Sequence, residues 1–597
     1  MQFVTGTFCS GTILLLVSAV SGLILLLRKV KESEFRRLFF SAGFTAFLVI
    51  FVFVSVWDFQ RHFTDYDEFW HWGMMIKESL RLDRFYCVPQ SRMVIHKDYP
   101  PFLCMLEVFF SILGGYSEGL VSASVHLFML SVIVLPCAEI MPRGNLKRFP
   151  KYLSSIFQSI IWLLLTFFSI VLFDNAGISK TILADIPLAC VFAYGTYLII
   201  SEKAFFDLFY GLSFILTLTA LVNIKQVGIA MVGVLSLLAV TMMLSDKQLR
   251  SKRSYMTIAG AIFLSMGSLF VWNSYVKTQN IQDLRSSAGG EGQFALSKID
   301  PQTYIRCLLH HNPGEQQETL WRLVQALFTR KIDTGLLPVS YFIFALLMTL
   351  VILFLTRKEH ISGQKTAAVI LTFIVGSLGY AFMLSALFIF CFTPDEMQEL
   401  RGYERYVDSY VLGEFLTLEM MLLLIESKEM TGDSTSLISN NLKRTTLALF
   451  IIAGLTLSFD WLIPQGLQKD PYQKYRLMAE QIHDTTQPDS EILLVYDASS
   501  MNTWFGYIQM FVYYLDNDRT FPLSPDLYTV NLNDSQQVLT AEQTIRNYNY
   551  IYIVNSNDTV SNWLQQHVVE NRKVGAGETY QIHDASETLS FSLTSVN

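Results

Sequence analysis

The sequence predicts a polytopic α-helical membrane protein of about twelve spans, followed by an extracytoplasmic C-terminal α/β domain. Three observations predict it. Of 597 residues, 52% are hydrophobic and only 16% charged, against roughly a quarter charged in soluble domains. The charge-poor stretches recur as runs of about 20 apolar residues, the length a bilayer core of about 30 Å demands of a helix. After Pro464 the composition turns polar and acidic, with 16 Asp and Glu against 7 Lys and Arg in 465–597. That balance of −9, in a chain of net −7, leaves about +2 for the apolar part and argues against a nucleic-acid partner.

The expected spans are 9–27, 38–57, 119–141, 153–173, 186–201, 205–222, 227–244, 254–273, 336–356, 366–390, 409–426 and 446–464. The first does not read as a signal peptide, because Met1–Ser10 holds no Lys or Arg whereas Arg28, Lys29 and Lys31 follow it. Lys and Arg then orient the rest. Loop 28–37 carries five, loops 142–152 and 245–253 four each, and loops 357–365 and 427–445 three each, so all five face the cytoplasm. Loops 58–118, 174–185, 274–335 and 391–408, with 465–597, face outward. Pro101–Gly115 is apolar, but a crossing there would turn the four-charge loop 142–152 outward, so it reads as an interfacial or re-entrant helix.

Past Pro464, Glu491–Tyr496 and Tyr550–Val554 read as buried strands and 472–484 and 558–569 as helices, the pattern of a small α/β domain. No GxGxxG loop and no internal repeat is visible. The seven cysteines are scattered, without CxxC, and give neither a disulfide framework nor a metal signature. Two sequons, Asn533-Asp534-Ser535 and Asn557-Asp558-Thr559, matter only in a eukaryotic host.

Polar residues collect in five places on the outward side. Asp65, Asp67, Glu68, His71 and Lys77 follow the second span, and His96-Lys97-Asp98-Tyr99-Pro100-Pro101 precedes the interfacial helix. Asp185-Ile186-Pro187 opens the fifth span, Asn223-Ile224-Lys225-Gln226 joins two spans, and Glu404-Arg405-Tyr406 lies in loop 391–408. One-sided clustering at the membrane boundary suits a donor carried by a lipid, since nucleotide sugars do not cross a bilayer. Transfer from a polyprenyl-phosphate sugar needs a carboxylate to take the acceptor proton and cations for the departing phosphate. Asp67 or Glu68 fits the base; Lys225, Arg405 and Arg401 fit the phosphate, Arg as a fork and Lys as a point charge.

In this order, Asp67-Glu68, Tyr99-Pro100-Pro101, a basic loop, Asp185-x-Pro187, Lys225-x-x-Gly228 and Glu404-Arg405-Tyr406 resemble the GT-C glycosyltransferases, near the protein O-mannosyltransferase and aminoarabinose transferase branch. The resemblance covers 60–410. It implies a GT-C-like fold, a polyprenyl-phosphate sugar donor, Asp67 as base with Glu68 supporting, Asp185 in the second acidic motif, and Lys225 and Arg405 on the donor phosphate. The chain departs from the family in its extra helix at 9–27, and in Tyr99 where many relatives have His, with His96 three residues earlier.

Each position also has a plainer reading. Asp67 and Glu68 suit the positive end of a helix, and Asp185 suits an N-cap with Pro187 in the first turn. Lys225 can snorkel, and Glu404 can pair with its neighbour Arg405. Trp70 and Trp72 fit an interfacial aromatic belt. Asp67 and His71, spaced i,i+4, permit a divalent metal but show no third ligand; no other cofactor is implied. The leading expectation is a plasma-membrane glycosyltransferase of bacterial type acting on an envelope polymer, lipid or protein. Residues 1–464 would be its catalytic domain and 465–597 would bind the acceptor or cover the cleft. The alternatives are a polysaccharide polymerase or ligase, and a lipid-linked sugar transporter or flippase, for which Glu419 is the clearest intramembrane acid.

Overall fold

The computed structural model describes residues 42–140 except 94, 180–281, 298–332 except 312 and 313, 339–358, 363–431, 465–495 and 535–594 with short breaks, and scattered positions in 8–21, 160–173 and 510–515. The expected span 446–464 and the basic loops 28–37 and 142–152 lie outside these residues, as do nearly all of span 9–27 and most of loop 427–445. Short helical turns aside, the elements run α1 (Ala42–Trp57), a π-helical turn (Glu68–Trp72), α2 (Gly73–Leu82), α3 (Phe102–Gly114), α4 (Glu118–Ile140), α5 (Asp185–Ile200), α6 (Leu208–Ile224), α7 (Gly228–Ser245) and α8 (Lys252–Thr278). Then come α9 (Pro301–Leu308), α10 (Glu315–Thr329), α11 (Tyr341–Lys358), α12 (Gly363–Phe390), α13 (Tyr403–Thr431), α14 (Gln473–Thr485), β1 (Ile492–Val495), α15 (Ser535–Ile545), β2 (Tyr550–Ile553), α16 (Asp558–Gln565), β3 (Thr579–Ala585) and β4 (Thr588–Leu593).

Three of these helices, α7, α8 and α12, are long and apolar enough to cross a membrane, and shorter apolar helices accompany them. Large apolar side chains stand exposed on them, such as Phe263 and Phe270 of α8 and Phe382 of α12. An apolar helix surface left without protein cover calls for a hydrocarbon solvent; this is a membrane protein.

The chain divides into two compact units, Met1–His62 with Leu82–Gln468, and Phe63–Arg81 with Lys469–Asn597. That division differs from the expected boundary at 464 by moving Phe63–Arg81 into the C-terminal unit. Aromatic packing explains it: Phe69 meets Tyr472, Tyr513 and Tyr514 at centroid separations of 5.3, 5.3 and 5.6 Å, and Phe63 meets Tyr513 at 5.6 Å. Such pairs add stabilisation beyond the area they bury.

In the first unit α5 is buried from Asp185 to Ile199. A helix covered all round is a central one, and α4, α6, α7 and α13 pack against it. The α6–α7 turn is tight: a Cβ on Gly228 would lie 2.0 Å from the Leu221 carbonyl oxygen. The second unit is built on a four-stranded sheet in the order β1-β2-β3-β4, with β1 and β2 parallel and the other pairs antiparallel. Strand alternation sends Leu493, Val495, Ile551 and Ile553 into one core with Trp563 and Phe591, and Ile492, Leu494, Tyr550 and Tyr552 into another with Ala479 and Ile482. Both faces of the parallel pair are thus covered, as such pairs require.

Candidate functional site: a buried carboxylate between two cations

The first unit gathers three of the sequence-predicted positions into one cluster. Asp185 stands at the start of α5, Lys225 in the turn between α6 and α7, and Arg405 on the first turns of α13. The Lys225 ammonium donates to Asp185 Oδ1 at 2.7 Å, and Arg405 Nε lies 3.7 Å from Asp185 Oδ2. The single Ser409 hydroxyl hydrogen is shared between Asp185 Oδ1, at 3.0 Å, and the Arg405 carbonyl, at 2.8 Å. Asp185 and Lys225 are almost wholly buried, whereas the Arg405 side chain is 26% exposed. The Tyr406 ring lies 4.6 Å from the Lys225 ammonium and 5.7 Å from the Arg405 guanidinium. Asp185 thus faces two cations seated on one aromatic ring, with the arginine side partly exposed.

This geometry replaces three of the plainer readings. Asp185 is not an N-cap: Ala184 holds that position and the Asp185 carboxylate is engaged by Lys225 and Ser409. Lys225 does not snorkel; its ammonium is buried against the carboxylate. Glu404 pairs with Arg330 at 2.5 Å, leaving Arg405 to face Asp185. Arg401 is not part of the cluster; it is exposed and pairs with Glu399 at 2.9 Å.

The His96–Pro101 loop is tied to the residue after Lys225. Gln226 Nε2 donates to the Asp98 carboxylate at 3.3 Å, and the Trp272 indole donates to the Asp98 carbonyl at 3.0 Å. Lys97 Nζ donates to the Ser91 carbonyl at 3.0 Å, and His96, at φ 59°, stacks on Tyr99 at 4.3 Å. A non-glycine residue in the left-handed region stores strain that the surrounding contacts must hold. Earlier in the same segment, burial pushes the Cys87 thiol well above the ordinary range.

The remaining candidates belong to the second unit. Glu68 is fully buried, and its Oε2 accepts from the Thr64 and Asp65 amides at 2.8 and 2.9 Å. Asp67, immediately before the π-helical turn, makes no capping bond with its side chain and remains partly exposed. Of the pair, Glu68 therefore holds the backbone and Asp67 stays partly exposed, at a π turn of the kind frequent at functional sites. Lys77 is occupied within the unit: its ammonium donates to the Tyr513 carbonyl and lies 4.0 Å over the Tyr513 ring. Trp70 and Trp72 are buried, and Trp70 stacks on Tyr66 at 5.4 Å. Among the described residues no group of three His, Cys, Asp or Glu side chains, around Asp67 and His71 or elsewhere, could hold a metal ion.

Ser409 and Tyr380, whose hydroxyl donates to the Tyr406 carbonyl at 2.6 Å, are members the sequence did not reveal. Ser409 lies i+4 from Arg405, a spacing that places both on one helix face, but an isolated Ser or Tyr in an apolar helix carries little signal.

No protein-family profile and no curated protein matches this chain. Among solved structures it is similar to the crystal structure of ArnT from Cupriavidus metallidurans bound to undecaprenyl phosphate, at 12% identity and a TM-score of 0.42, over 86% of this chain and 93% of that one. Agreement at this level does not define a family.

Proposed function

We propose that this protein is an integral-membrane glycosyltransferase that moves a sugar from a polyprenyl-phosphate carrier to an acceptor on the outer face of the membrane. The observation that carries the reading is the Asp185–Lys225–Arg405 cluster, two cations gathered on one carboxylate where apolar helices end. A lipid phosphate presents its charge at that depth. In the reaction the acceptor oxygen attacks the anomeric carbon, the bond from that carbon to the phosphate oxygen breaks, and the phosphate leaves with the electron pair. Lys225 and Arg405 offset the charge that develops on it, and Asp185 keeps the two cations together when no phosphate is bound. Asp67 takes the acceptor proton, a role assigned from the order of the sequence motifs and supported by its exposure beside the buried Glu68. The acceptor is an envelope polymer, lipid or protein.

The test supplies purified protein with radiolabelled polyprenyl-phosphate sugars and a crude envelope acceptor. Wild type is expected to transfer label, and Asp67→Asn to lose transfer by about 100-fold or more, the scale of a general base. Equal transfer by the two proteins would remove the base from Asp67. A second reading, a lipid-linked sugar transporter, draws on Glu414 and Glu419, carboxyls set within the apolar stretch of α13. Movement of substrate across vesicles without bond formation would establish it instead.

A further inference from the structure

The α13 face that carries Tyr406 continues through Tyr410 to Glu414, each four residues on. Glu414 is 1% exposed, and its Oε1 accepts from Ser377 Oγ of α12 at 2.8 Å. The Tyr410 hydroxyl belongs to a residue one helical turn before Glu414 on the same face. The space for that hydroxyl is made by Gly376, where a Cβ would lie 2.7 Å from the Tyr410 oxygen. The Tyr410 ring stacks on Tyr380 of α12, with centroids 4.4 Å apart and planes 17° from parallel. The Tyr380 hydroxyl in turn donates to the Tyr406 carbonyl, and the Tyr406 ring seats Lys225 and Arg405. Glu414 thus ties α13 to α12 through Ser377, and the stacked Tyr380 of the same α12 reaches on to the aromatic seat of two cations. A leucine at 414 would pack without the desolvation that a carboxyl suffers in an apolar bundle, so the acid must have a polar task.

We propose that Glu414, Tyr410 and Tyr380 are positioning residues that hold the Tyr406 ring against Lys225 and thereby set the affinity of the cluster for a polyprenyl phosphate. The proposal rests on reading the cluster as the donor-phosphate site. A cation over a desolvated ring gains more than one over a wet ring. A small displacement of Tyr406 therefore appears as weaker phosphate binding rather than as loss of fold.

The test measures binding of farnesyl phosphate to the full chain in detergent, with farnesol as the uncharged control. Lys225→Met tests the underlying reading and is expected to weaken binding about 10-fold or more, as loss of a charged hydrogen-bond donor does. Tyr380→Phe keeps the stacked ring but removes the bond to Tyr406. It is expected to weaken binding about 3- to 30-fold, the range of a cation–π contact. Glu414→Leu should fall in the same range, whereas Glu414→Gln, which can still accept from Ser377, should stay within about two-fold of wild type. The effect of Tyr380→Phe should vanish in the Lys225→Met background, because residues that act through one partner are not additive. Wild-type binding by Tyr380→Phe, or an effect that adds in full to Lys225→Met, would overturn the ladder and leave the phosphate site standing. Should Glu414→Leu fail to fold, Tyr380→Phe and the double variant decide the matter. Wild-type binding by Lys225→Met would overturn the phosphate reading itself, and the ladder with it.

Discussion

Asp185 illustrates how a single side chain can be found by type while its partners stay hidden. A carboxylate at the mouth of an apolar helix stands out in the sequence, and capping is its ordinary use there. Its actual partners, Lys225 and Ser409, come from positions 40 and 224 residues away, and no local pattern encodes such pairs. For the same reason the sequence suggests a pair between Arg405 and its neighbour Glu404, whereas Glu404 meets Arg330 from a distant segment. The energetic consequence is testable. Asp185→Asn leaves the Lys225 ammonium buried beside a neutral amide, and breaking a buried pair from one side costs about 3–5 kcal/mol. We expect a clear fall in the thermal unfolding midpoint, partly recovered in Asp185→Asn/Lys225→Met, which removes the stranded charge. A single variant as stable as wild type would show that water already reaches the pair.

At the scale of elements, the helices were legible because bilayer-length apolar runs leave few alternatives. The expected spans 186–201, 227–244 and 366–390 correspond to α5 (Asp185–Ile200), α7 (Gly228–Ser245) and α12 (Gly363–Phe390). What the runs did not convey is how closely successive helices turn. Lys225 is presented by such a turn, and Gly228 is the residue that lets it close, since a Cβ there would meet the Leu221 carbonyl. Gly228→Ala is expected to force the 225–228 backbone to shift, lowering the unfolding midpoint and weakening farnesyl phosphate binding together. Gly233 of the same helix has open space where a Cβ would go, so Gly233→Ala should leave both within the small range of neutral surface changes, about 0.5 kcal/mol. Equal behaviour of the two variants would mean that the turn tolerates the extra carbon and does not govern Lys225.

For the whole molecule, the change of composition after Pro464 marked a second body, and short β-rich apolar runs located β1 and β2. The allegiance of Phe63–Arg81 was not legible, because the segment lies about 400 residues from its partners and reads locally as a loop after a span. Its bond to the C-terminal residues is tertiary: Phe69 is fully buried among Tyr472, Tyr513 and Tyr514, and Lys77 holds the Tyr513 carbonyl. If Phe63–Arg81 and Lys469–Asn597 form one cooperative body, removing the central ring should loosen both segments together. Phe69→Ala in the full chain deletes a side chain whose loss from a core costs about 3–5 kcal/mol. Hydrogen exchange is therefore expected to rise in peptides from 63–81 and from 472–485 alike, while α5 and α12 of the first unit keep their protection. Faster exchange confined to 63–81 would make that segment an independent flap resting on the C-terminal unit. A rise throughout α5 and α12 would instead make the two units a single folding body, with the residues around Asp67 sharing the stability of the membrane helices.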